Sequence, residues 1–151
     1  MHDVEIGWRQ PFTNGEANRL HAAAFETRLY TDEEWNWVGL VEANSLGWVT
    51  ARDDGELVGF ANVLTDGFVH AWLQDVMVSP TRQRSGIGTL LVDEAARRTA
   101  GAGCEWLHVD FDDDVADFYY RRCGFQPTNG GLLALDPPAD PPPAPDHHGD
   151  A

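Results

Sequence analysis

The densest chemistry in the chain lies in the stretch Val78-Ser79-Pro80-Thr81-Arg82-Gln83-Arg84-Ser85-Gly86-Ile87-Gly88-Thr89-Leu90. Gly86 and Gly88 allow the main chain to approach a ligand with no Cβ in the way. A helix that begins there presents N–H groups with no intrahelical acceptor, and these favour an anion. A pyrophosphate fits such a site, and Arg82 and Arg84 add local positive charge. A glycine-rich surface turn is the plainer reading of the same residues. Two other phosphate loops are excluded. A Walker loop needs Gly-Lys-Ser/Thr where this chain has Gly88-Thr89-Leu90, and the chain contains no lysine. A dinucleotide fingerprint needs a third glycine where Leu91 stands.

Groups that could move protons lie nearby in sequence. His108 carries an imidazole that titrates in the range a base needs, and Asp110 shares its strand face by the period of two. Trp35, Trp37 and Trp72 could line an acceptor pocket, and core packing explains them equally well.

These residues need elements to hold them. The pattern predicts a strand over 4–9 and a helix opened by the capping-box spacing Thr13-Asn14-Gly15-Glu16. Thr31-Asp32-Glu33-Glu34 repeats that spacing and predicts a second helix over 32–43. Asp54-Gly55 marks a hairpin between strands at 48–52 and 56–64. A long strand at 68–78 leads into the glycine loop, then a helix over 86–100, a strand at 105–111, a short helix at 115–123 and a last strand at 132–135. A crossover helix makes the strands at 68–78 and 105–111 parallel, while the hairpin supplies antiparallel neighbours. The expected class is α/β (α+β), with a mixed, mostly antiparallel central sheet and helices on both faces. Residues 1–135 form the single domain, and 136–151, rich in proline and aspartate, form a disordered tail.

Composition narrows the partners. A net charge of −15 argues against direct binding to nucleic acid or an anionic membrane and favours a cationic partner. No apolar run is long enough to span a bilayer, and Met1-His2-Asp3-Val4-Glu5 lacks a basic-then-apolar signal, so a soluble cytoplasmic protein is expected. Cys104 and Cys123 read as reduced, mostly buried thiols, and no metal-ligand spacing is present.

Residues 83–88 resemble the signature of the GNAT superfamily, Gln/Arg-x-x-Gly-x-Gly/Ala after a strand. Residues 113–125 are similar to a second block of that family, Asn-x-x-Ala-x-x-Phe/Leu-Tyr-x-x-x-Gly-Phe, with Asp113 in place of the asparagine. The likeness covers roughly residues 4–135. It implies an acetyl-CoA-dependent N-acetyltransferase acting on a primary amine of a small molecule or peptide, without a metal. By resemblance, the backbone of Val76, Met77 and Val78 meets the pantetheine arm, and Gln83, Arg84, Ser85, Gly86, Ile87, Gly88 and Thr89 hold the pyrophosphate. The parallel strands should splay where the acetyl group lies. Tyr120 takes the place of the family's general acid, and Tyr119 takes the aromatic packing position. His108 stands where some ribosomal-protein alanine N-acetyltransferases carry a glutamate base. Gln74-Asp75 stands where spermidine/spermine N-acetyltransferases carry Glu-Asp, which leaves Asp75 as the other candidate base. Asp110, Trp35 and Trp72 are expected near the acceptor. A homodimer through Leu132 to Leu135 is open, as is a degenerate domain that binds CoA as a sensor without turnover.

Overall fold

The computed structural model describes residues 3–136; Met1, His2 and the segment 137–151, which holds nearly all of the expected tail, lie outside the described residues. The elements are β1 (Glu5–Trp8), α1 (Asn14–Phe25), α2 (Trp37–Asn44), β2 (Ser45–Asp53), β3 (Glu56–Thr65), β4 (His70–Val78), α3 (Ile87–Gly101) and β5 (Trp106–Val109). The five strands lie in the order β1-β2-β3-β4-β5. Only β4 and β5 are parallel; each other neighbouring pair is antiparallel. Asp54 and Gly55 close the β2–β3 hairpin at φ 52° and 83°, the left-handed pair that a tight two-residue turn requires.

Each face of the sheet is covered. Ile87, Leu91, Val92 and Ala95 of α3 pack on Val49, Ala51, Ala61, Val63, Ala71 and Leu73. Ala17 and Leu20 of α1 and Trp37 and Val41 of α2 pack on the opposite face against Leu57, Phe60 and Met77. Burying a leucine such as Leu91 contributes about 1.5–3 kcal/mol, and Gly59 lets α3 come close enough to do so. A Cβ on Gly59 would lie 3.0 Å from Ile87 and 3.1 Å from Leu91. The helix that carries the glycine loop is therefore seated directly on the backbone of β3.

The two capping boxes have different outcomes. Thr13 and Glu16 exchange their reciprocal bonds at 3.1 and 3.0 Å, and α1 follows. Thr31 and Glu34 exchange theirs too, at 3.2 and 3.1 Å, yet the chain only turns there. The second helix begins at Trp37 rather than 32, because Asn36 breaks the run at ψ 86° and supplies the cap instead, accepting from the Gly39 N–H at 3.0 Å. That break turns Trp37 inward, where its indole N–H donates to Asn18 Oδ1 at 2.8 Å.

Near the carboxyl end the expected short helix forms with an unusual winding, and the expected last strand is corrected. Residues 113–123 are a 3-10 turn (Asp113–Val115) followed by a π-turn (Phe118–Arg122), in which the Cys123 N–H donates to the Phe118 carbonyl at 3.0 Å. The wider turn directs Phe118 and Tyr119 inward together. No strand forms at 132–135, where Leu132, Leu133 and Leu135 are 100%, 81% and 90% exposed. Four residues after the flexible pair Gly130-Gly131 have too little side-chain packing to hold a ladder. Cys104 and Cys123 are unpaired thiols, each half-buried rather than deeply buried.

Glu16 also ties α1 to the sheet through Arg52, at 2.6 Å. The Arg52 hydrogen bond draws the Glu16 carboxyl from 4.5 down to about 2, against burial that acts to raise it. A depressed carboxyl stabilises the fold above its unfolded value and loses that contribution as pH falls through its folded value. The stability gap between the wild type and Glu16→Gln should therefore be full at neutral pH, shrink below about 4.5 and close near 2. Urea titrations across that range measure it, and a gap that stays constant to the acid end would refute the linkage.

Candidate active site

The site begins with an interruption in β4. Asn62 pairs with Gln74 and Phe60 with Met77, so Asp75 and Val76 together oppose Ala61 in a β-bulge. Asp75 takes φ 55°, a conformation that costs a non-glycine residue about 1–3 kcal/mol. On the other edge of β4, the ladder to β5 runs from His70 opposite Trp106 to Leu73 opposite Val109 and then stops. From Gln74 onward the two parallel strands part, so the backbone of Val76 to Val78 has no partner on the β5 side. Met77 itself is buried at 1% exposure under α1, so its main chain is what it can offer to a ligand.

Beyond β4 the chain makes a 3-10 turn at Pro80–Arg82 and enters the loop. Arg84 and Gly86 have φ 66° and 89°, and Gly86 is the N-cap of α3 with no side chain capping the helix. The first amide of α3 to find an acceptor is that of Leu90, which donates to the Gly86 carbonyl at 3.1 Å. The N–H groups before it are free to meet an anion, and the space beside Gly86 is open. These features fit a phosphate or diphosphate group. The glycines have separate uses, however. A Cβ on Gly88 would lie 3.1 Å from Phe118, so Gly88 serves the packing of α3 on the π-turn, while of the two glycines Gly86 takes the left-handed conformation.

Arg82 differs from the sequence expectation as well. Its Nε and Nη2 donate to Asp53 Oδ2 at 2.9 and 2.8 Å, at the end of the β2–β3 hairpin. Its charge is spent on a carboxylate that is only 7% exposed, and its effect on the loop is to anchor the turn before it. Gln83 reaches back to the Val78 carbonyl at 3.4 Å, and the Ser85 hydroxyl donates to the Arg82 carbonyl. Attraction for an anion thus rests on backbone amides, with Arg84 as the exposed cation in the loop.

Trp72, His108, Asn62 and Asp75 lie on the α1 side of the sheet, whereas Tyr119 packs in the core on the α3 side. His108 lies opposite Trp72 in register, and the two rings stack at 5.0 Å with planes 17° apart. Its Nε2 lies 2.8 Å from Nδ1 of His70. Asp110, expected on the strand face of His108, lies exposed one residue past the end of β5. Asp75 is half-buried, and that burial pushes its carboxyl above the usual range, opposed by a hydrogen bond from Asn62 and by the charge of His21. Asn62 is itself buried and accepts from the Ser45 hydroxyl. Tyr119 packs on Phe111 at 4.6 Å, and burial raises its hydroxyl to about 12. Tyr120 is 38% exposed and meets Phe111 edge-on at 5.1 Å. Trp35 belongs to a separate aromatic group with Tyr30 and Trp37, at 6.2 and 5.6 Å. His70, His21, Asn62 and Asp53 were not legible as site residues, because each acts through a partner on another strand or helix.

A bulged strand parting from its parallel neighbour, followed by an uncapped glycine turn into a helix, defines a class of α+β domain with a backbone cradle for an anion. Comparison with known proteins gives that class a family. Residues 8–125 match the model of the Acetyltransferase (GNAT) family, and the chain belongs to it. Over 114 residues it is 30% identical to mycothiol acetyltransferase of Nocardia farcinica, covering 73% of this chain and 38% of that protein. It is 33% identical over 99 residues to aminoglycoside N(6')-acetyltransferase type 1 of Stenotrophomonas maltophilia, covering 59% of this chain and 65% of the relative. It is 32% identical over 127 residues to N-alpha-acetyltransferase RimI of Mycobacterium tuberculosis, covering 78% and 80%. Among solved structures, a probable acetyltransferase of Staphylococcus aureus superimposes with a TM-score of 0.72 at 22% identity, over 87% of this chain and 98% of the other. An aminoglycoside N-acetyltransferase solved with CoA gives 0.68 at 16% identity, over 89% and 95%. The mixed sheet with one parallel pair is the fold these structures share.

Removing the Arg82 side chain leaves the Asp53 carboxylate buried without a countercharge, and Asp53 Oδ1 already lacks a partner. Arg82→Ala should cost about 2 kcal/mol of stability, and the double variant with Asp53→Asn should regain part of it. Denaturant midpoints of the two single variants and the double variant measure the coupling, and strict additivity would show the pair to be idle.

Proposed function

We propose that the protein transfers the acetyl group of acetyl-CoA to a primary amine of a small molecule or peptide. The observation that carries this reading is the uncapped start of α3 beside the parted end of β4, a backbone cradle for a diphosphate joined to a cleft for its thioester arm. Two relatives are named for acetylation at nitrogen, one on an aminoglycoside and one on an alpha-amino group, and the acidic chain favours a cationic acceptor.

In this reading the amides from Gln83 to Thr89 hold the pyrophosphate, with Arg84 and Ser85 at its rim and Ile87 anchoring the helix in the core. Main-chain groups of Val76, Met77 and Val78 align the pantetheine arm, and amide N–H groups there polarise the thioester carbonyl. Acetyl-CoA supplies the activated acyl group when bound. His108 accepts the proton that the amine must lose, and the Tyr120 hydroxyl donates one to the departing thiolate. Asp75, in its strained and half-buried position, draws the cationic acceptor toward the cleft and is the alternative base. Trp72 forms the wall beside His108, and Asp110 and Trp35 border the approach.

Thiol release from acetyl-CoA, measured over a panel of aminoglycosides, amino acids, polyamines and peptides, tests the reaction. Turnover with at least one amine is the expected result. CoA binding without release for any amine would instead indicate a domain that senses the thioester. Gly86→Glu places bulk and negative charge at the diphosphate and should abolish CoA binding in calorimetry; undiminished affinity would remove the loop assignment. Tyr120→Phe should lower kcat by roughly 10²–10⁴ while CoA affinity is kept, and a rate equal to the wild type would mean that the proton comes from another group.

A further inference from the structure

Two imidazoles in contact across the β4–β5 ladder constrain each other. His70 is the first residue of β4, and its backbone is pinned: the N–H donates to Asp66 Oδ1 at 3.2 Å, and the carbonyl accepts from the Asp66 N–H at 3.0 Å. The side chain is diagonal to His108, because His70 lies opposite Trp106 while His108 lies opposite Trp72. The ring centroids of the two histidines are 5.0 Å apart, and Trp72 flanks both, at 5.0 Å from His108 and 6.2 Å from His70. The planes are thereby held, and Nδ1 of His70 meets Nε2 of His108 at 2.8 Å.

A contact of that length between neutral imidazoles contains one hydrogen. If His70 supplies it, His108 carries its own hydrogen on Nδ1 and has no free lone pair. If His108 supplies it from Nε2, then Nδ1 of His108 is a lone pair, and it can take a proton while the bond to His70 persists. Nε2 of His108 is taken by His70, and its Nδ1 has no hydrogen-bond partner among the described residues.

We infer that His70 is a positioning residue that fixes His108 in the tautomer bearing hydrogen on Nε2, with Nδ1 as the atom that receives the proton of the acceptor amine. This rests on the reading of His108 as the base. The step balances: an amine N–H bond breaks and its hydrogen bonds to Nδ1 of His108, the electron pair left on nitrogen forms the C–N bond at the acyl carbon, and the C–S bond breaks, its electron pair leaving on sulfur, which takes the Tyr120 proton. His70 stays neutral throughout, accepting at Nδ1 and keeping its hydrogen on Nε2. The role is that of the group that orients a catalytic imidazole, filled here by a second histidine where a carboxylate often stands.

The test is imidazole nitrogen NMR on the full chain, joined to kinetics with the amine identified in the panel. In the wild type His108 should show hydrogen on Nε2 and a bare Nδ1. His70→Ala should give His108 a mixture of tautomers and lower kcat by roughly ten-fold, part of the 10²–10⁴ a general base contributes, with the amine KM unchanged. His70→Asn places an acceptor oxygen near the former Nδ1 and should restore both the spectrum and most of the rate. A wild-type His108 with hydrogen on Nδ1, or an identical His108 spectrum in His70→Ala, would overturn the inference. Wild-type turnover by His108→Ala, alongside an altered His108 tautomer in His70→Ala, would sink the base reading alone and leave the control of the tautomer by His70 standing.

Discussion

A strand that admits an extra residue cannot keep a continuous ladder, and this constraint at Asp75 shapes everything around the candidate site. The bulge opposite Ala61 turns the end of β4 away, and the parallel pairing with β5 ends at Leu73 and Val109. Unpaired main-chain groups in a protein interior are costly unless something meets them. The parted strands therefore leave a polar slot whose walls are backbone, a surface suited to a ligand arm that carries amides of its own. The strain stored at Asp75 is offset by the packing around it, with Met77 buried below and Asn62 and His21 beside the carboxylate.

The same economy governs charge. The chain is strongly acidic, and within the stretch that meets the anion Arg82 is tied to Asp53. Attraction falls to the amides at the start of α3, whose partial charges are fixed by the fold. Such a site can bind a diphosphate locally while the rest of the surface repels phosphate and draws cations. An anion and a cation would thus meet opposite fields on one small domain.

Packing then joins this cradle to the proton-bearing groups. Gly88 lets Phe118 press against α3, and the π-turn places Tyr119 in the core while Tyr120 faces outward. One extra residue in that turn decides which of two adjacent tyrosines has its hydroxyl free. On the other strand, the stack of Trp72 on His108 holds the imidazole one step before the last pair, Leu73 and Val109, at which the strands part.

Local chemistry was legible in the sequence. The glycine turn into α3, the capping box at Thr13, the Asp54-Gly55 hairpin and the family blocks at 83–88 and 113–125 all depend on neighbours a few residues apart, and residue type settles those; the parallel direction of β4 and β5 follows from the crossover helix between them. The capping box at Thr31 shows the limit, since its two bonds form but the burial of Trp37 sets where the helix begins. The leucines at 132–135 were read as a strand from their types alone, although a strand needs a partner that no residue type can guarantee. The pairing of His108 with His70 spans 38 residues and that of Arg82 with Asp53 spans 29. Both depend on register between strands and on the seat of a helix. Those follow from how a whole sheet buries its apolar faces, so only the tertiary structure could assign His108 its partner and take Arg82 away from the anion.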